Sequence, residues 1–90
     1  MKRFILEGAS LRSEADFHGW AQKTLGLFEG YGWNMDALSD VLTDTSGLMR
    51  ERPPFEVHWK NSEASREALE GRFDEIVRML SASGIQVVLE

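Results

Sequence analysis

The chain of 90 residues has no cysteine, only two prolines, and no apolar run near the roughly 20 residues that cross a bilayer. The missing cysteines exclude disulfides, cysteine–zinc sites and thiol nucleophiles. The first residues reach Glu7 and Gly8 too early for a secretory signal peptide. We therefore expect a protein of the reducing cytoplasm that has no membrane partner.

Basic residues are also scarce. Ten Lys and Arg face fifteen Asp and Glu, which gives a net charge of −5. This balance argues against direct binding of nucleic acid or of an anionic membrane, because both select basic surfaces. It permits a basic protein partner, although many proteins are equally acidic for solubility alone. The position of the charge therefore matters more than its total.

The residues that are present suit one globular domain spanning residues 1–90, with 42% apolar and 28% charged side chains. Apolar patterns predict strands over 3–7, 55–59 and 85–89, and helices over 14–25, 35–43 and from Ser62 or Ser65 to about Gly84. Strands separated by helices favour parallel pairing. We expect an α/β fold in which three to four helices pack on a three-stranded parallel sheet.

Local signals mark the ends of these helices. Ser13 and Asp16 resemble a capping box, Gly26 is a helix stop, and Asn34 is a good N-cap. The late helical segment carries one apolar stripe, which predicts a single long helix: Leu69, Phe73, Ile76, Val77 and Leu80. Four further residues are expected to be structural rather than ligands: His18, His58, Trp20 and Trp59.

The negative charge is concentrated. Residues 24–49 hold four acids and no base, while the other 64 residues hold eleven acids and ten bases. Asp36, Asp40 and Asp44 recur every four residues and form one stripe on the second helix, opposite its apolar face. Such a stripe is commonly a solvated face, but Tyr31 and Trp33 beside it favour a protein interface.

Two other uses of the aspartates were weighed. Asp36 and Asp40 could bind a hard cation, but such sites normally need more oxygen ligands. The pair could serve a glycosidase, but that chemistry needs a sugar cleft which a convex helix face lacks. We expect no metal, no cofactor and no catalytic residue.

Residues 31–43, YGWNMDALSDVLT, resemble the YGxNxDAxxDxLT signature of the barstar family, the intracellular inhibitors of barnase-type ribonucleases. The resemblance extends over the whole chain. It implies a parallel three-stranded sheet, a cis bond before the second strand at Pro53–Pro54, and binding rather than catalysis. It further implies that the second helix and its preceding loop block a ribonuclease active site, with Asp40 in place of an RNA phosphate and Asp36 also at the enzyme.

The sequence departs from the family pattern at the rim of this site. Gly30 stands where the family has tyrosine, Ser39 where it has tryptophan, and Met79 where it has an acidic residue. Glu75, one turn before Met79, is the candidate replacement. Trp33 is an added aromatic, and the polar loop 44–52 is longer than usual and carries Arg50 and Arg52 near the site. Changes at the rim indicate a different cognate partner.

The resulting hypothesis is an inhibitor, monomeric when free, of a basic microbial ribonuclease. Its partner-binding residues would be Tyr31, Gly32, Trp33, Asn34, Asp36, Ser39, Asp40, Thr43, Asp44 and Glu75. The alternative is a binding module of the same fold that neutralises a different basic toxin or enzyme.

Overall fold

The computed structural model describes residues 1–43 and 47–90. Its elements follow the predicted order and confirm the α/β fold with a three-stranded parallel sheet. They are β1 (Arg3–Glu7), α1 (Glu14–Leu25), α2 (Met35–Thr43), β2 (Phe55–Lys60), α3 (Ser62–Leu69), α4 (Gly71–Ala82) and β3 (Ile85–Leu89), with a short 3₁₀ turn after β1. Within the described ranges, no helix has the length and apolar content needed to cross a membrane.

The sheet has β2 at its centre, paired in parallel with β1 on one side and β3 on the other. Right-handed crossovers in this strand order bring the helices to one face of the sheet. Burial along β2 agrees, because Phe55, Val57 and Trp59 are buried while the side chains between them are partly exposed. One face of the sheet is therefore covered and the other meets solvent.

Trp59 lies at the middle of the core between the sheet and the helices. Its ring stacks on Phe17 of α1 at 5.8 Å between centroids and packs against Phe73 of α4 at 4.9 Å. Its indole Nε1 donates to Ser65 Oγ, and that hydroxyl donates to the carbonyl of Gly8, both at 2.9 Å. Trp59 is thus a core residue as predicted, and Ser65 is buried beside it instead of capping α3.

The solvent face of the sheet carries ion pairs. The Arg3 guanidinium lies 3.5 Å from Glu56, and His58 lies between Glu56 at 3.0 Å and Glu90 at 2.7 Å. Lys60 also pairs with Glu90. Hydrogen bonds from His58 and then Arg3 lower the pKa of Glu56, and those from Lys60 and then His58 lower the pKa of Glu90. Charged side chains thus stand where a parallel sheet usually has a second layer of helices.

The ends of α1 match the prediction only in part. The helix runs over Glu14–Leu25 and stops at Gly26, which has φ +70° and bonds to the carbonyl of Gln22. The capping box is wrong: the Ser13 side chain makes no cap hydrogen bond, because the Asp16 N–H already bonds to the Ser13 carbonyl at 3.1 Å. The Asp16 carboxylate accepts from the Arg12 N–H at 2.9 Å instead.

The single long helix expected after β2 is wrong. The chain turns at Glu70, with φ +53°, and separates α3 from α4. A straight helix over 62–82 would measure about 30 Å, almost the 34 Å length of the molecule. The helix is therefore broken so that its apolar stripe stays on the sheet. Asn61, and neither candidate serine, precedes the first turn of α3. The Pro53–Pro54 bond is cis, as the resemblance suggested.

Candidate functional site

The start of α2 is fixed by Asn34. Its side-chain oxygen accepts the N–H of Ala37 at 2.7 Å, and its amide nitrogen donates to the carbonyl of Gly32 at 3.3 Å. This geometry confirms the predicted N-cap. Because the same side chain holds the helix and the glycine loop, it sets the angle between them.

The acidic face of α2 points to solvent. Leu38 and Val41 are buried against the core, so Asp36 and Asp40, which lie on the other side of the helix, are exposed. Neither aspartate forms an ion pair with a residue that the structure describes. Their charge is thus available to a partner.

A groove of about 370 Å³ separates this helix from the loop before it. It brings together an aromatic ring, two glycines, both aspartates and one apolar residue of the following loop. Its lining includes Phe28, Gly30, Gly32, Asp36, Asp40 and Leu48. The groove has carboxylates on one side and bare backbone with an aromatic face on the other, an arrangement that suits a cationic side chain with an apolar stem.

Phe28 is a site residue that the sequence analysis missed. Its ring is 39% exposed and lies over Gly30, where a Cβ would come within 2.8 Å of the ring. The ring therefore fills the space that a side chain at position 30 would otherwise need. The available signal was an aromatic residue two positions before a glycine in a loop, which is too common a pattern to single it out.

Tyr31 is not the exposed aromatic that the sequence analysis expected. Only 5% of it is accessible, and its hydroxyl bonds to Nδ1 of His18, which is fully buried in α1. His18 Nε2 lies 2.8 Å from a Glu14 carboxylate oxygen. Burial first, and then the charge of Glu14, raise the pKa of Tyr31 well above its ordinary value of 10.0. Tyr31 thus anchors the loop to the core and leaves little surface for a partner.

Trp33 is exposed but turns away from the groove. It has φ +54° and is 46% exposed. Its indole nitrogen donates to the Gln22 side chain at 2.8 Å, and its ring lies against Gly19 of α1. It extends the exposed apolar surface over α1 instead of lining the acidic groove.

The comparison with known families was made on the whole sequence. The family model described as Barstar (barnase inhibitor) matches residues 1–87. The chain belongs to the barstar family. This is a family of inhibitors and not of enzymes, and the fold of its members agrees with the parallel sheet and helices observed.

Two further candidates of this barstar-family chain lie outside the acidic groove. Ser39 and Thr43 line a different groove of about 490 Å³ between α2 and α4, together with Leu42 and Met79. The Thr43 hydroxyl also donates to the Ser39 carbonyl at 2.9 Å, which satisfies it within α2. The two residues are exposed and adjacent to the acidic face, so they form its margin.

Glu75, the candidate substitute for the acidic residue at Met79, is already paired. Its carboxylate accepts from Arg72 Nη1 at 2.8 Å. Arg72 also contacts Glu14 at 3.2 Å. Glu75 therefore differs from Asp36 and Asp40 in having a cation of its own chain beside it.

The loop after α2 was expected to bring arginines to the site. Asp44, the third aspartate of the predicted stripe, lies outside the described residues. Arg50 packs on Gly26, bonds to the Thr24 carbonyl at 3.3 Å and pairs with Glu51. It therefore belongs to the end of α1, and the loop contributes Leu48 to the groove instead.

The described part of the barstar-like site offers little to a metal. Within residues 1–43 and 47–90, no group of three or more histidines and carboxylates is placed to hold an ion. The cation alternative for Asp36 and Asp40 thus has no third ligand among these residues.

Proposed function

We propose that this chain inhibits a basic microbial ribonuclease by covering the enzyme's active site with the acidic groove and the exposed face of α2. The observation that carries the proposal is the pair of exposed carboxylates, Asp36 and Asp40, beside a groove with an exposed ring at Phe28. Membership of the barstar family supplies the class of target. The inhibitor would act in the cell that makes the ribonuclease.

The chemistry follows from what a ribonuclease binds. Its active site must hold a phosphodiester, so it presents arginine, lysine or histidine to anionic oxygens. A carboxylate offers two acceptor oxygens to the same donors and forms bidentate pairs with arginine. In this proposal Asp40 takes the place of the phosphate, and Asp36 pairs with a cation at the margin of the enzyme site.

The backbone around the groove allows a close approach. Gly32 has no side chain to hold the enzyme away from Asn34 and Asp36, and the ring of Phe28 offers an aromatic face. An aromatic residue next to complementary charge is typical of the residues that dominate binding energies. Phe28 therefore takes the anchoring role that the sequence analysis assigned to Tyr31.

The decisive experiment measures inhibition of barnase by the wild type, Asp40→Ala and Glu67→Ala. Glu67 is exposed on α3 and its loss gives the same change of net charge. Asp40→Ala should weaken binding by about 2–5 kcal/mol, roughly thirtyfold or more in Kd, as loss of one partner from a buried charge pair does. Barnase with its inhibitor is a reference case for such energies, so this is a general range.

The control separates the local role of Asp40 from net charge. Glu67→Ala should change Kd by less than about threefold, since an exposed distant charge is largely screened. Equal inhibition by the wild type and Asp40→Ala contradicts the proposed phosphate mimicry.

A further inference from the structure

Arg72 is a cation placed among the acids of the proposed binding surface. It lies in the first turn of α4, with Nε 3.2 Å from Glu14 Oε1 and Nη1 2.8 Å from Glu75 Oε2. Asp36 of α2 is near enough to act on the same guanidinium. Glu75 first, then Glu14 and then Asp36, raise the pKa of Arg72. One arginine thus faces carboxylates from three helices.

The orientation of Arg72 is set from inside the protein. Glu14 uses one carboxylate oxygen for Arg72 and the other for Nε2 of His18, at 2.8 Å. His18 is fully buried and its second nitrogen bonds to the Tyr31 hydroxyl. A neutral imidazole that donates from Nε2 and accepts at Nδ1 satisfies both contacts. Glu14 is therefore held in place, and it holds the guanidinium over α4.

This arrangement gives the acids of the surface different access to a partner. Glu75 is 41% exposed but already has a cationic neighbour, whereas Asp40 has none among the described residues. A partner's lysine or arginine that approaches Glu75 meets the positive charge of Arg72 first. Like charges brought together in an interface disfavour a partner more than they weaken the correct one.

We infer that Arg72 is a specificity-determining residue that neutralises Glu75, so that a cationic ribonuclease is bound through Asp40 and the acidic groove and not through α4. The inference rests on the proposed function. It favours ribonucleases whose surface opposite α4 lacks a cation, and it disfavours those that carry one there.

A double-mutant cycle with barnase as the probe tests this role. Binding is measured at low salt for the wild type, Arg72→Gln, Glu75→Gln and the double variant. Arg72→Gln should tighten binding by roughly threefold, the size expected of one rim charge. Glu75→Gln should leave the wild-type affinity almost unchanged but should weaken binding in the Arg72→Gln background, because only there does the carboxylate face the enzyme unneutralised.

Arg78→Gln is the matched control, since Arg78 is an exposed arginine of the same helix and its loss changes the net charge equally. The inference is overturned if Arg72→Gln and Arg78→Gln tighten binding equally, or if Glu75→Gln has the same effect in both backgrounds. Asp40→Ala keeps this failure distinct from failure of the proposed function. Equal binding of the wild type and Asp40→Ala contradicts the function, whereas Asp40-dependent binding with an additive cycle contradicts the role of Arg72 alone.

Discussion

Single side chains decide which part of the loop before α2 is offered to a partner. Tyr31 turns inward because a fully buried acceptor, His18 Nδ1, is within reach of its hydroxyl. Phe28 has no polar group to satisfy and remains 39% exposed over Gly30. The loop is therefore held by its tyrosine and recognised through its phenylalanine.

Tyr31→Phe tests the anchoring role of the tyrosine. The change removes the donor to a buried imidazole nitrogen and should lower the free energy of unfolding by about 1–3 kcal/mol. Urea unfolding measures the loss. In a His18→Leu background the same change should cost almost nothing, because the acceptor is absent. An equal loss in both backgrounds contradicts the assigned hydrogen bond.

The sequence could place these residues in a loop but could not assign their directions. An aromatic residue beside glycines fits both a core anchor and a partner contact, and the choice depends on His18, which is thirteen positions away in α1. Asn34 was predictable because its role is local: its side chain bonds within its own helix start. Arg72 and Glu14 meet only after folding, so no spacing in the sequence indicates their contact.

At the scale of elements, the open face of the sheet is held by charge. His58 of β2 contacts Glu56 of its own strand and Glu90 just beyond β3, while Arg3 of β1 pairs with Glu56. These contacts run across all three strands. The boundaries of the strands and of α2 were predicted closely, since their patterns are regular, whereas the break between α3 and α4 follows from the size of the molecule.

Acid should weaken this face. Ion pairs and hydrogen bonds lower the folded-state pKa of Glu56 and of Glu90 below the ordinary value of 4.5. A lowered pKa stabilises the folded state fully above the unfolded pKa, and that contribution is lost as pH falls through the folded value. The free energy of unfolding should therefore decline below about pH 4.5 through these two groups.

Urea unfolding at pH 7 and at successively lower pH measures this decline. The double variant Glu56→Gln, Glu90→Gln should be less stable than the wild type at pH 7 and should lose less stability on acidification. Glu67→Gln, on α3, serves as the control and should keep the wild-type acid profile. A double variant with an unchanged acid profile contradicts the role of the sheet carboxylates.

At the scale of the whole molecule, the charge has one dominant location. Residues 24–49 carry a net charge of −4 and the remainder −1. The acidic groove and the exposed face of α2 belong to this segment. The molecule therefore has an electrostatic direction, and a basic partner is drawn toward the groove before contact.

Association with barnase should accordingly depend on salt. Between about 0.01 M and 1 M salt the Debye length falls from about 30 Å to about 3 Å. The association rate constant should fall by roughly tenfold or more, within the general range of steered complexes for which barnase and its inhibitor are a reference case. Stopped-flow fluorescence measures the rate, and Asp40→Ala should show a shallower salt dependence. A salt effect confined to dissociation contradicts steering.

The central position of β2 also governs the order in which the chain can fold. Arg3 lies beside Glu56, and Phe55 beside Ile85, so both strand pairings join distant parts of the chain. Contacts of this kind form slowly, because long loops must close before any pairing is gained. During synthesis β1 has no strand to pair with until β2 has emerged. The first half of the chain, which includes most of the acidic groove, must therefore wait for the second half before its sheet exists.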